Sequence, residues 1–300
     1  MSELSARAFC ASGAFRNQIR LCSPRRFRIN SFAFDMPKAK DNKPAKKQES
    51  SSASIQLLAI PGLPEIRKGD DLARIIVEAS RTANICLQSG DVLVIAQKIV
   101  SKAEGRVVQL STTRASTRAM QLASKLRKDP RLVEVILGES RRIVRSHPVL
   151  IVETRHGFVC ANAGVDHSNV PGDDAVTLLP LRPDESARNL AAAVRKRTQT
   201  EVAVIVSDTF GRPWRLGLTN VAIGAAGLPV LLDLRGKPDR NAKPLQATIL
   251  AVADELASAA GLLMGKSDGV PAVVVRGYRY SPAMQPATAV IRPAKEDLFR

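Results

Sequence analysis

Short apolar runs closed by Gly, Pro or Asp, and separated by stretches of helical spacing, place the tightest limit on how this chain can fold. The runs 55–60 (IQLLAI), 91–96 (DVLVIA), 201–207 (EVAVIVS) and 271–276 (PAVVVR) are six or seven residues long. That length suits buried strands and is too short for helices. Between the first two, Asp70 or Asp71 can cap a helix that carries Leu72, Ile75, Ile76 and Ala79 on one face. Further helices are expected over 116–128, after Pro130 (which suits a first-turn position), over 184–197 and over about 246–264. Residues 142–162 (RIVRSHPVLIVETRHGFVCAN) alternate as strands do, with His156-Gly157 as the turn of a hairpin. The pattern is that of an α/β chain with a mixed sheet and no internal repeat.

Composition narrows the partners. Of 300 residues 45% are hydrophobic, enough for a sizeable core, yet no apolar run approaches eighteen residues, so no membrane-spanning helix is expected. Lys and Arg number 45 against 28 Asp and Glu, a net charge of +17, which points to phosphates, carboxylates, nucleic acid or anionic surfaces. Four dispersed cysteines (Cys10, Cys22, Cys86, Cys160) exclude a disulfide scaffold or a Cys-rich zinc site. Residues 1–54 form a basic N-terminal extension, net +7, ahead of a catalytic domain over 55–300. Its last third, 38–54, has too few large apolar side chains to offset ordering entropy and reads as a disordered linker. Residues 1–35 are Arg- and Ser-rich, as organelle transit peptides are, but an extension without function, such as an over-extended reading frame ahead of Met36, is the simpler reading.

Three segments concentrate groups that bind metal or phosphate. In 163–172 (AGVDHSNVPG), Asp166, His167, Ser168 and Asn169 follow an apolar strand, in a composition also common in plain turns. In 207–220 (SDTFGRPWRLGLTN), Asp208 and Thr209 leave the carboxyl end of a strand, where open α/β sheets bind ligands. Their oxygens are hard donors suited to Mg²⁺ or Mn²⁺. Arg212 and Arg215 follow in what reads as a loop and could grip phosphate. In 261–269 (GLLMGKSDG) the two leading glycines are separated by three residues where the Walker pattern needs four, and the segment joins helix to strand, the reverse of the Walker order. It reads as a helix-ending turn whose N–H groups could meet phosphate. Lys98 and Lys102 in 97–105 (QKIVSKAEG) lie just past a strand, where lysines are usually only solvated. His147 and His156 lack partners at ligand spacing, and Ser168 has no His/Asp set that would make a serine hydrolase.

Taken in order, VSKAEG (100–105), NAGVDHSNVPG (162–172), SDTFGRPWRLGLTNVAIG (207–224) and MGKSDGVPAVVVRG (264–277) resemble the coenzyme F420-0:L-glutamate ligase family, from about Ile55 to Tyr280. The resemblance implies a mixed-sheet α/β fold with two intertwined subdomains, a homodimer, and a cytoplasmic enzyme with no nucleic-acid or membrane partner. It implies a GTP-dependent ligase that joins L-glutamate to F420-0, can add further γ-linked glutamates, and releases GDP and phosphate. Two divalent cations per subunit, Mg²⁺ or Mn²⁺, are implied, with K⁺ as a further candidate. By position the metal ligands would be Asp166, Asp208 and Thr209. Nucleotide contacts would come from Pro61, Gly62, Leu63 and Pro64, from Gln97, Lys98, Lys102 and Asn169, and from Met264, Gly265, Lys266, Ser267, Asp268, Gly269 and Val270. The sequence departs from the family at one point. Lys266 stands where a member carries a metal-ligating Glu in a turn one residue longer, and a protonated lysine cannot ligate, so Asp268 or water would take that place.

The chemistry agrees with the residues. A carboxylate does not condense with an amine at neutral pH until it is activated, and phosphoryl transfer needs cations to neutralise the moving group. Asp208, Lys102, Arg212 and Arg215 are the expected catalytic set, and the base that deprotonates the amine is open between a metal-bound hydroxide and a carboxylate such as Asp208. Two other classes compete: a metal-dependent hydrolase of phosphorylated small molecules, and a basic nucleic-acid-binding protein. The second is disfavoured by 4% aromatic content, which leaves no stacking platform.

Overall fold

The structure is a computed structural model that describes residues 54–167 and 174–297. The expectations for the extension up to residue 53, and for Ser168 and Asn169, lie outside the described residues. In chain order the elements are β1 (Gln56–Ala59), α1 (Leu72–Thr82), β2 (Val92–Ala96), α2 (Gln97–Ala103), β3 (Val107–Gln109), α3 (Thr117–Leu126), α4 (Pro130–Gly138), β4 (Ser140–Arg145), β5 (Ile151–Thr154), β6 (Val159–Ala161), β7 (Ala175–Thr177), α5 (Pro183–Thr198), β8 (Ala203–Arg212), β9 (Arg215–Ala226), β10 (Leu232–Asp233), β11 (Ile249–Leu250), α6 (Val252–Met264) and β12 (Ala272–Arg276).

The expected mixed sheet is present. Its order is β1-β12-β2-β8-β9, antiparallel throughout except for the central β2/β8 pair, which is parallel. Every residue from Val92 to Ile95, from Val204 to Val206 and from Ala272 to Val275 is fully buried or nearly so, which is why these runs are apolar without alternation. Helices α1, α5 and α6 contribute Ile76, Val194 and Leu256 to the same core. A second, smaller core forms where Leu110, Ala119, Val133, Ile136, Leu150, Val152 and Val176 meet. The chain leaves the first core after α2, builds the second between β3 and β7, and returns with α5.

Local chemistry explains the boundaries. The Asp71 carboxylate accepts from the Arg74 N–H and caps α1, and Asp129 caps α4 with Pro130 in its first turn. His156-Gly157 does turn β5 into β6: Gly157 has φ 98° and its N–H donates to the Thr154 carbonyl at 2.9 Å. Gly224 in β9 is required by close approach, since a Cβ there would lie 2.5 Å from the Pro183 backbone at the start of α5.

Three sequence expectations are corrected. The strand expected to stop at 207 runs on to Arg212 and turns directly into β9, so Arg212 and Arg215 belong to a two-stranded ribbon and not to a loop. The apolar run ends at Ser207, but strand continuation needs only a hydrogen-bonding partner strand. The helix expected from about 246 begins at Val252, because Ile249 and Leu250 pair with β10. The stretch after β2 is a helix, α2, and Lys102 in it is only 8% exposed.

Candidate active site

The two parallel strands end side by side, Ala96 in register with Ser207. β2 gives way at once to α2, while β8 continues past a bulge at which Ser207 pairs with Ala222 although Val206 pairs with Gly224. Bulges sharpen local twist and re-aim side chains, and this one directly precedes Asp208 and Thr209. The Ala222 N–H beside the bulge donates to the Asp254 carboxylate at 2.9 Å, so the irregularity costs no unpaired N–H at that position. The turn after α6 and the segment after β1 close over the same end of the sheet. The result is a cleft of about 370 Å³, lined among others by Leu63, Gln97, Lys98, Lys102, Asp166, Asp208, Thr209, Asn220 and Lys266.

Asp166 reaches this cleft from beyond the second core. Its backbone N–H and C=O pair with Thr177 at 3.1 and 2.9 Å, which pins the residue while its side chain meets Lys98 Nζ at 2.8 Å. Lys98 and Lys102 are four residues apart and so share one face of α2. Lys102 Nζ contacts Glu65 Oε1 at 2.5 Å. Gln97 is fully buried: Ser101 Oγ donates to its Oε1 at 2.8 Å, while Nε2 has no hydrogen-bond partner among the described residues. Such a donor at a cleft wall is costly unless a ligand accepts from it. Lys266 Nζ donates to Thr209 Oγ1 at 2.6 Å, and Thr209 Oγ1 donates to Asn220 Oδ1 at 3.0 Å.

Burial pushes the Asp208 carboxyl up to about 6. The Thr209 N–H opposes that shift, the Asp166 carboxylate adds to it, and the ammonium groups of Lys266 and Lys98 oppose it more weakly. A half-buried carboxylate beside a second carboxylate is a place where a cation lowers the free energy of the site. Asp166, Asp208 and Thr209 offer two carboxylates and a hydroxyl, a donor set that fits a hard divalent cation. Among the described residues no group of three or more His, Cys, Asp or Glu side chains is placed to hold a metal. The Cys160 thiol, buried and facing the charge of Asp208, is pushed up to about 12, so it is no nucleophile at neutral pH.

The structure gathers Leu63, Pro64, Gln97, Lys98, Lys102, Asp166, Asp208, Thr209, Met264, Gly265, Lys266, Ser267, Gly269 and Val270 around one cleft. Pro61, Gly62 and Asp268 do not line it; Asp268 turns back over Gly265 and accepts from Ser267 Oγ at 3.1 Å. Arg212 and Arg215 do not line it either. They lie exposed near the tip of the β8–β9 ribbon, where Arg212 Nη2 donates to the Leu216 carbonyl at 3.1 Å. Sequence reasoning passed over Glu65 and Asn220. Asn220 was signalled only by strand register, being the partner of Thr209 across the hairpin.

A cleft at the carboxyl ends of a parallel strand pair, with hard oxygen donors and three lysines, forms the candidate site. The model of the F420-0:Gamma-glutamyl ligase family matches residues 62–277, and the chain belongs to that family. The Coenzyme F420:L-glutamate ligase of Methanothermobacter thermautotrophicus is 46% identical over 253 residues, covering 82% of this chain and 99% of that protein. The protein of the same name from Methanopyrus kandleri is 46% identical over 255 residues, covering 82% and 98%. That from Archaeoglobus fulgidus is 38% identical over 247 residues, covering 82% and 96%. Among the described residues no helix is long and apolar enough to cross a membrane.

Proposed function

We propose that this protein joins L-glutamate to F420-0 through an amide bond, using GTP to activate the acceptor carboxylate. The observation that carries this reading is the convergence of Asp166, Asp208 and Thr209 with Lys98, Lys102 and Lys266 in one cleft, in a chain of this family. In the first step a carboxylate oxygen of F420-0 attacks the γ-phosphorus; the bond to the bridging oxygen breaks and GDP leaves. In the second the glutamate amine attacks the acyl carbon of the mixed anhydride, an amide forms and phosphate leaves. A divalent cation, Mg²⁺ or Mn²⁺, held by Asp166, Asp208 and Thr209 would neutralise charge on the β- and γ-phosphates.

The protein's own groups do the positioning. Lys98 and Lys102 on one face of α2 supply donors to anionic oxygens, each now satisfied by a carboxylate that a phosphate oxygen can replace. Gln97 Nε2 offers a preformed donor that binding completes. The phosphate clamp therefore falls to the lysines, since Arg212 and Arg215 do not line the cleft of their own chain. With GTP as co-substrate the reaction belongs in the cytoplasm. The ribbon tip carries Leu216, 99% exposed, Leu218, 65%, and Trp214, 80%, an apolar surface suited to a second copy of the chain, and the working form is a homodimer.

Incubation with F420-0, L-glutamate, GTP and Mn²⁺, read by mass spectrometry, tests the reading. The expected product is F420-0 plus one or more glutamyl residues, with GDP. Nucleotide hydrolysis unchanged by omitting glutamate, with no amide product, would instead make the protein a phosphohydrolase. Thermal shift with Mn²⁺ should favour GTP over ATP.

A further inference from the structure

Lys266 is exposed, yet its ammonium group is tied to one partner at the edge of the cleft. It sits in the turn that ends α6, where Gly265 takes φ 55°, and the turn carries its ammonium group across to β8. There Nζ donates to Thr209 Oγ1 at 2.6 Å. Thr209 is oriented for this contact: its own hydroxyl proton goes to Asn220 Oδ1, so one of its two lone pairs accepts from Lys266 and the second is left for a cation. Asn220 is steadied in turn by its contact from Nδ2 to Met264 Sδ at 3.6 Å, and by Gly261, whose missing Cβ would lie 2.9 Å from that amide. A chain of contacts across three elements thus holds one ammonium group at the edge of the carboxylate pair.

The oxygen inventory points the same way. Among the described residues, the acids that line the cleft are Asp166, Asp208 and Glu65, and Glu65 is engaged with Lys102. Asp268, the one acid in the turn itself, folds back over Gly265 and does not face the cleft. Two carboxylates and a hydroxyl suffice for one divalent cation that keeps water or phosphate oxygens as its remaining ligands. A second would need further anionic ligands and would sit against the Lys266 ammonium. The implied pair of divalent cations therefore does not fit these residues.

We infer that each chain holds a single divalent cation and that the Lys266 ammonium, seated on Thr209, supplies the second positive charge to the nucleotide phosphates. The inference rests on the metal-dependent nucleotide site proposed above. An ammonium group can donate to phosphate oxygens but cannot ligate water, so it neutralises charge without adding a second metal.

Mn²⁺ titration of the full chain with a non-hydrolysable GTP analogue, followed by the paramagnetic resonance signal of free Mn²⁺, tests it. The wild type should saturate at one Mn²⁺ per chain. Lys266→Glu, an exposed substitution on a turn, should raise the count to two. Lys266→Met should keep one Mn²⁺ but weaken the analogue at least tenfold, and Lys266→Arg should restore most of that loss. Two Mn²⁺ per wild-type chain, or one in Lys266→Glu, overturns the inference while leaving the ligase reading intact. No Mn²⁺ bound by the wild type overturns the metal-dependent reading, and this inference with it.

Discussion

The β8–β9 ribbon contains two regions made from the same pair of strands in opposite surroundings. At its root, Ala203–Val206 and Ala222–Ala226 are all buried within the five-stranded sheet, and Gly224, lacking a side chain, admits the start of α5. At its tip, Arg212 to Leu218 extend beyond the sheet, turning through Pro213 and Trp214, the latter at φ 55°, a left-handed conformation that a bulky residue adopts only at a cost. The two strands pair antiparallel in both, with register shifts between Val206 and Ser207 and between Gly211 and Arg212. What differs is the solvent, and Asp208, the carboxylate proposed to act in the site, stands where one gives way to the other. Asp208 is close enough to the apolar root for burial to push it up to about 6, and far enough out to face an open cleft.

The comparison predicts that a change at this boundary removes chemistry, while a change at the root removes stability. Asp208→Asn should lower ligase turnover at least 10³-fold, about 4 kcal/mol of transition-state stabilisation, while circular dichroism and urea unfolding show a folded protein. Turnover within tenfold of wild type at saturating Mn²⁺ would remove Asp208 from the site. Ile205→Ala, three residues earlier and fully buried, should cost about 2–5 kcal/mol in unfolding free energy, with KM little changed in whatever fraction stays folded. A loss below 1 kcal/mol would mean the root is not the tightly packed half.

Asp208 also gives the boundary a pH signature. Its carboxyl titrates near 4 in an unfolded chain and at about 6 when folded, so between those values the folded state binds more protons. Stability from this group is therefore full below about pH 4, declines as pH rises to about 6, and stays lost above it. The two-unit difference corresponds to roughly 1–3 kcal/mol. Without metal, Asp208→Asn should be more stable than wild type by that amount at pH 7.5, and no more stable at pH 4. Mn²⁺ should reverse the order above pH 6, because it binds only the deprotonated wild-type carboxyl. Equal pH profiles for the two proteins would show that the boundary is solvated like the tip.

Much of the fold could be read along the chain because burial on both faces leaves continuous apolar runs, and β2, the root of β8 and β12 are such runs, whereas β1 is a half-buried edge strand. Asp208 and Thr209 were found for the same reason: polar groups just past an apolar strand mark its end in an α/β sheet. The ribbon beyond them has the composition of a loop. Its sequence, FGRPWRLG, carries Gly, Pro and exposed side chains, and its extended form is imposed by the partner strand, which no local signal reports. No local signal marks Lys102 as buried, because its cover, Glu65, is distant in sequence, so the family resemblance alone singles it out. Asn220 is set by a register that only pairing defines.

The smallest effect on the chain itself is expected at the tip, and it gives the comparison its sharpest limit. Leu216 is 99% exposed, so Leu216→Ser removes no contact within the chain and should change the unfolding free energy of a single subunit by under about 0.5 kcal/mol. Apolar side chains held out on a rigid ribbon are nonetheless poorly placed for water, and Leu218 beside it is also exposed. If a second copy covers them, the same substitution should lower the mass found by light scattering at low micromolar concentration from dimer toward monomer, with unfolding midpoints that become less dependent on protein concentration. A mass and midpoint identical to wild type, with the root and boundary variants behaving as above, would mean that the tip is exposed in the working protein, and that the ribbon's two regions differ in solvent alone.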